Sequence, residues 1–354
     1  MRIARPSRMV IGVDVGQRTI KAAQLAPSEG GCQVSALSLM PRPEPEKELS
    51  KADASAIRKV LGRQGFSGSR IVVAAPEERL VRAALELPSK VAGAPIGQIV
   101  RMEMSRLHNI APDSFEMAHW EWRTPDGAKP VTRTLAIGCP HAAANGILDI
   151  FEAEGFDVVA LDARSAAMRR ACESLLLPAP QITAIADLGW RSTSVLFVCG
   201  CSLLYERVLE GIAMAELAGK LAEVFGITLE AAQQVADTVG LAADQPIGGI
   251  DRETLDAVRR HLRSHVDKSL DELRAPFSYV NHQFPGEGVK RLLLIGGGAA
   301  VPQLPSYMAG RLKIDVRATA PSDLVTSPVE LLAKARNPAM TIAVGLARFE
   351  GAGG

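Results

Sequence analysis

The feature that most limits what this chain can fold into is a repeat. An apolar strand, Met9 to Val15, ends in Asp14-Val-Gly16 and turns back into a second strand, Ile20–Leu25. Much later the strand opening at Ile182 ends in Asp187-Leu-Gly189 and turns back into Thr193–Val198. The two D-x-G turns are 187 − 14 = 173 positions apart, and one grammar used twice at equivalent places marks a duplicated unit. A third strand follows each hairpin, Gln33–Leu39 in one half and Leu203–Leu209 in the other, so each half opens as a β-meander. At 354 residues the chain has material for two core-forming halves or one large domain with a cleft between lobes.

Behind the first meander the order becomes β-to-α. Pro41 to Ser50 is rich in proline and charge and reads as a loop, followed by a helix over Ala54–Gly62 and the strand Ile71–Ala75. From Leu80 to Asp162 the pattern changes to a small α+β insertion. Its expected elements are strand Leu80–Leu87, helix Ile96–His108, strands Glu116–Arg123 and Val131–Cys139, helix Ala142–Glu154 and strand Val158–Leu161. Pro125-Asp126-Gly127 is the expected turn between its middle strands. Helices dominate after the second meander: Met214–Phe225, Leu229–Thr238 and a long charged helix from Asp251 towards Val280. The strand Arg291–Ile295 then breaks at Gly296-Gly297-Gly298-Ala299, and helices Gln303–Leu312 and Pro338–Phe349 close the chain.

Charge and cysteine usage narrow the function classes. With 40 basic and 39 acidic side chains the formal net charge is +1, so no global field draws the protein to nucleic acid or anionic lipid. Hydrophobic residues at 47% against 22% charged exclude a disordered chain. The five cysteines are dispersed, and Cys199 and Cys201 lack zinc-ribbon spacing, which points to reduced thiols of a cytosolic protein. Met1 to Met9 carries Arg2, Arg5 and Arg8 without the apolar core of a signal peptide. No stretch is long and apolar enough to span a bilayer, and Gly351 to Gly354 cannot form an amphipathic anchor, so membrane association is expected through a partner.

Three constellations carry chemistry. In the first, Gly16 lets backbone approach a polyphosphate, Lys21 supplies a point charge, Gln17 sits in the turn and Asp14 can order water around Mg²⁺. In the second, Asp187, Gly189, Ser192 and Thr193 can aim amides and hydroxyls at the other side of the same phosphates, with Asp187 as a second water-mediated Mg²⁺ contact. In the third, Gly296, Gly297, Gly298 and Ala299 end a buried strand where bare backbone can pass beside a purine and ribose. One D-x-G alone is more often an ordinary tight turn; its recurrence tilts the balance towards a nucleotide. The glycine run is neither a Walker A loop, since no Lys-Ser or Lys-Thr follows, nor a G-x-G-x-x-G fingerprint. His108, His119 and His141 fit no compact ligand spacing, and the alternating charges of Arg259, Arg260, Arg263, Asp267, Asp271 and Glu272 are expected on a solvated helix face.

In order and spacing these motifs resemble the phosphate 1, phosphate 2 and adenosine motifs of the actin, heat-shock chaperone and sugar-kinase superfamily. That resemblance implies an α/β protein with the duplicated actin-like (ribonuclease H-like) two-lobed fold. Within the superfamily, Val10-Ile-Gly-Val-Asp14-Val-Gly16 with Lys21 after it resembles the opening of the PilM family of type IV pilus assembly proteins. The insertion after Ile71-Val-Val-Ala-Ala-Pro76 is similar to the SHS2-like subdomain 1C of PilM and FtsA proteins. Gly155-Phe-Asp-Val-Val-Ala-Leu-Asp162, Gly226-Ile-Thr-Leu-Glu-Ala-Ala and Thr341-Ile-Ala-Val-Gly345-Leu-Ala resemble later family segments.

The resemblance implies a first lobe over 1–79, subdomain 1C over 80–162, a connecting helix over 163–180, a second lobe over 181–336 and a C-terminal return to the first lobe over 337–354. It also implies a cytoplasmic ATP- and Mg²⁺-binding scaffold, peripheral at the inner membrane, that docks the cytoplasmic tail of a bitopic PilN-like protein in a groove between the first lobe and the insertion. The pilus motor ATPase is a second candidate partner; nucleic acid and direct membrane insertion are not expected. Gln17 replaces a small hydroxyl residue, which implies a lost phosphate contact and weaker nucleotide affinity; Arg164, standing where an acidic residue is expected, and Gly211-Ile-Ala, lacking a double glycine, imply weak or absent hydrolysis. Two other readings stay open. A sugar or small-molecule kinase needs an acid placed at the acceptor hydroxyl, and an FtsA-like filament or type II secretion protein shares the fold.

Overall fold

The computed structural model describes residues 10–29, 31–88, 95–123, 131–242, 251–284 and 288–349; the expected Pro125-Asp126-Gly127 turn lies outside them. The chain forms two compact units, one of Met1–Ser174, Pro321–Arg336 and Met340–Gly354, the other of Leu175–Ala320 and Asn337–Ala339.

In chain order the first unit holds β1 (Ile11–Val15), β2 (Thr19–Ser28), β3 (Gly31–Pro41), α1 (Lys51–Leu61), β4 (Arg70–Ala74), β5 (Val81–Pro88), α2 (Ile96–His108), β6 (Phe115–Arg123), β7 (Val131–Pro140), α3 (His141–Glu152), β8 (Asp157–Asp162) and α4 (Arg164–Ala171). Its main sheet has the order β3-β2-β1-β4-β8, an antiparallel meander continued by two parallel strands. β1 is central, and a central strand covered on both faces must be nearly all apolar; Ile11 and Val13 are wholly buried. Ile20 and Ala22 of β2 join β1 in a cluster with Ile57 of α1 and Ile147 and Phe151 of α3. Ala23 and Leu25 instead pack with Ala343, Val344 and Ala347 near the C-terminus. α1 starts at a capping box, Ser50 with Asp53, which satisfies two of the amides a helix start leaves unpaired.

The inserted part makes its own three-stranded sheet, β5-β7-β6, packed on α2 through Val100, Met104, Phe115 and Ala136. Its extent differs from the sequence expectation. α3 buries its apolar side against β1 and β4, and β8 pairs with β4, so both belong to the main sheet and the separate piece ends near Pro140 instead of Asp162. Amphipathic periodicity reports that α3 has a buried face but not which sheet it covers.

The second unit holds β9 (Ile182–Leu188), β10 (Thr193–Cys199), β11 (Ser202–Leu209), α5 (Met214–Phe225), α6 (Leu229–Val239), α7 (Arg252–Gln283), β12 (Val289–Ile295), α8 (Leu304–Leu312) and β13 (Asp315–Ala318). Its sheet order, β11-β10-β9-β12-β13, repeats the first: meander, then two parallel strands. β13 was not expected, because four residues with charges at both Asp315 and Arg317 give no readable alternation. α7 packs an apolar stripe of Leu255, Val258, Leu262, Val266, Leu270 and Leu273. Arg259 falls on that stripe and is 4% exposed, not on the solvated face expected for it.

The return to the first unit begins earlier than position 337. Pro321–Arg336, including α9 (Leu332–Ala335), already belongs there, followed after Asn337–Ala339 by α10 (Thr341–Ala347). α10 lies so close to α4 that a Cβ on Gly345 would collide with the Ala167 carbonyl, which only glycine avoids.

Candidate functional site

The first D-x-G turn is built by β1 and β2. Asp14 stands opposite Lys21 in the antiparallel register, and the turn is closed by Gly16 N–H donating to the Thr19 carbonyl at 3.0 Å. The segment after β3 pins it from outside: Glu46 N–H donates to the Gln17 carbonyl at 2.8 Å, and Arg42 N–H to the Arg18 carbonyl at 2.9 Å. The Arg42 side chain is almost fully buried. It makes a bidentate pair with Asp53 (3.0 and 2.6 Å), donates to the carbonyls of Lys47 and Glu48, and reaches the Gly16 carbonyl at 3.4 Å.

Asp14 is 1% exposed. Its Oδ1 accepts from Nη1 of Arg164, at the start of α4, in a short contact, and its Oδ2 lies 3.3 Å from Lys21 Nζ. Burial alone pushes the Asp14 carboxyl up, but the charges of Arg164 and Lys21 and their hydrogen bonds outweigh it and hold the group below the usual carboxylate range. Arg164 Nε also lies 4.0 Å from Glu77, whose carboxylate accepts from Arg82.

The second turn has the same backbone. Asp187 stands opposite Ser194, Gly189 N–H donates to the Ser192 carbonyl at 3.1 Å, and Ala215 N–H donates to the Trp190 carbonyl at 2.8 Å. Gly189 accepts in turn from Met214 N–H at 3.1 Å, so the start of α5 holds this turn as the loop after β3 holds the other. β12 runs parallel to β9, with Ile295 beside Asp187, and delivers Gly296 against the Asp187 carboxylate. Gly296 has φ +82°, and a Cβ there would strike that carboxylate and approach the Leu188 carbonyl to 2.9 Å, so glycine is required. Gly297 to Ala300 form a single 3-10 turn; Gly297 is exposed with no atom within 4 Å of an added Cβ, whereas Gly298 packs on Met214 and Leu188.

Among the residues expected to act, the structure thus gathers Asp14, Gly16, Gln17 and Lys21 on one turn, and Asp187, Gly189, Gly296, Gly297, Gly298 and Ala299 around the other, with exposed Ser192 in its loop. Thr193 is a correction. It is 1% exposed, and its hydroxyl donates inward to the Ile212 carbonyl at 3.2 Å, beside an apolar cavity of about 30 Å³ lined by Leu188, Met214, Leu262 and His265. The Asp14 carboxylate, expected to order water around Mg²⁺, is shared by the Arg164 and Lys21 cations. Among the described residues no group of three or more His, Cys, Asp or Glu side chains is placed to hold a metal. His108 and His141 contact Arg82 and Glu116. Arg42 was missed, its only signal being an arginine in a segment that reads as loop.

Two meander sheets of one topology, each with a D-x-G turn between its first two strands, define the actin-like two-lobed fold. Solved structures share it at low identity. "EutJ from Carboxydothermus hydrogenoformans" is 14% identical at TM-score 0.55, covering 98% of this chain and 91% of that one. "MreB 5 of Spiroplasma citri bound to AMPPNP" is 11% identical at 0.52, covering 96% of each. The family described as type IV pilus assembly protein PilM matches residues 12–349, and the chain belongs to that family. A solved "PilM-PilN type IV pilus biogenesis complex" is similar at TM-score 0.77 and 20% identity, covering 97% of this chain and 98% of that one. No curated protein sequence matches significantly.

Proposed function

We propose that this chain is a cytoplasmic, nucleotide-binding scaffold of type IV pilus assembly, held at the inner membrane by the cytoplasmic tail of a PilN-like protein. The observation that carries the reading is membership of the PilM family combined with two D-x-G turns that share two backbone hydrogen bonds. The titles of related structures support it, one being a complex of PilM with PilN and another an MreB protein bound to AMPPNP. No helix among the described residues is long and apolar enough to cross a membrane, in keeping with attachment through a partner.

In this reading ATP is the ligand. The residues proposed to meet it are Gly16, Gln17 and Lys21 in the first unit and Gly189, Ser192, Gly296, Gly297, Gly298 and Ala299 in the second. Binding, not turnover, is the work: a bound nucleotide biases the chain towards the conformation that accepts the tail. A kinase reading finds no support in Asp14, which is committed to Arg164 and Lys21 and cannot serve as a base.

Saturating ATP should raise the thermal midpoint, since a ligand at a hundred times its Kd stabilises a fold by about 2.7 kcal/mol. A labelled peptide carrying the cytoplasmic tail of a PilN-like protein from the same organism should bind in fluorescence anisotropy. Gly297→Val, which adds atoms into open space, should keep the unliganded midpoint and lose the ATP response. An absent ATP shift in a buffer where a control ATPase responds would remove the nucleotide, and an absent peptide signal the partner.

A further inference from the structure

We infer that the first D-x-G turn works without a metal, because Arg164 supplies the positive charge that a divalent cation would otherwise bring to Asp14. The inference rests on the nucleotide reading above and assigns the mode of phosphate recognition in this lobe. Three observations carry it.

The first is occupancy. Each Asp14 oxygen faces its own cation, Oδ1 the Arg164 guanidinium and Oδ2 the Lys21 ammonium, and the carboxylate is buried where such contacts are poorly screened. A hard divalent ion seeks oxygen ligands with uncompensated negative charge, and here it would have to displace one fixed cation while sitting beside the other.

The second is access. Lys21 and Arg164 remain 12% and 19% exposed, so each keeps a face that an anion from solvent can reach. A guanidinium forks onto phosphate oxygens and an ammonium meets them as a point charge.

The third is rigidity. Asp14 lies on the central strand, Lys21 is its cross-strand neighbour, and Arg164 projects from the first residue of α4, whose far end packs on α10. Asp14 is therefore a positioning residue: it orients two cations towards a phosphate and coordinates nothing itself.

The test measures binding of a fluorescent ATP analogue to the full chain in excess EDTA and in excess Mg²⁺. The wild type should bind with affinities that agree within about threefold, a difference under 1 kcal/mol. Binding tighter by about tenfold or more with Mg²⁺ overturns the inference and leaves the nucleotide reading intact; no binding in either buffer overturns both. Arg164→Glu should lose EDTA binding and regain it with Mg²⁺, since it restores net negative charge beside Asp14. Arg164→Gln, a milder change in case the first unfolds, should lose EDTA binding with an unchanged circular-dichroism spectrum. Either folded variant binding in EDTA as the wild type does would overturn it. As a metal-only check, Mn²⁺ added to the wild type should stay free by electron paramagnetic resonance, and a stoichiometric bound signal that Asp14→Asn abolishes would count against the inference.

Discussion

The two D-x-G turns share a backbone and differ in their surroundings. In both, the glycine N–H closes the turn onto a carbonyl three residues on, and the carbonyl just after the glycine accepts an amide from the segment behind the third strand. Around Asp14 the neighbours are long cationic side chains from β2 and α4. Against the Asp187 carboxylate lies the glycine that ends β12, where a side chain would collide. The first turn thus carries a buried charge cluster and the second a contact that demands glycine, with no change in strand order or register. Duplication preserves what main-chain hydrogen bonds need, and leaves free what side chains reach from elsewhere.

The widest separation of the two turns should come from Asp14→Ala. It leaves two partly buried cations facing each other without the carboxylate between them, and breaking a buried charge pair costs about 3–5 kcal/mol, readable as a lower urea midpoint. The same carboxylate gives a pH signature. Its folded pKa lies below its unfolded value, so its contribution is fully present above the ordinary carboxylate range and is lost as pH falls through the depressed folded value. Asp14→Asn should remove that acid-side loss of stability, and an unchanged acid limb would show that the cluster does not hold Asp14 ionised.

Next in size is Gly296→Ala, where a left-handed φ and a clash with the Asp187 carboxylate should cost about 3 kcal/mol. The equivalent place after β4 is Ala75, buried at 3%, and Ala75→Gly should cost no more than about 1 kcal/mol. Equal costs in chemical denaturation would mean that the two strand ends are alike after all.

Smallest is Thr193→Val. Losing the hydroxyl bond to Ile212 should cost about 1 kcal/mol and leave ATP affinity unchanged. Weakened ATP binding with an unaltered midpoint would restore Thr193 to the phosphate site.

How much of this was legible beforehand depends on the distance along the chain between the groups involved. The hairpins, the glycine break at Gly296 and most helices were readable because strand alternation, turn glycines and caps act within a few residues. Arg164 could be noticed as a departure, but its pairing with Asp14 spans 150 positions and exists only once α4 is laid beside β1. For Arg259 and Thr193 residue type suggests solvent or ligand, whereas Arg259 falls on the apolar stripe of its own helix and the Thr193 hydroxyl meets the Ile212 carbonyl. Arg42, in a segment that reads as loop, pairs with Asp53 of α1.

The amino-acid sequence by itself determined that this chain is a duplicated meander with a D-x-G turn in each copy, since apolar periodicity and turn chemistry are local and repeat with the unit. Tertiary structure alone decided what each aspartate faces, where the inserted sheet ends, and that Pro321–Arg336 returns to the first unit. Coulomb energy and packing depend on distance in space, and residues far apart in sequence acquire that distance only when the sheets and helices close around them.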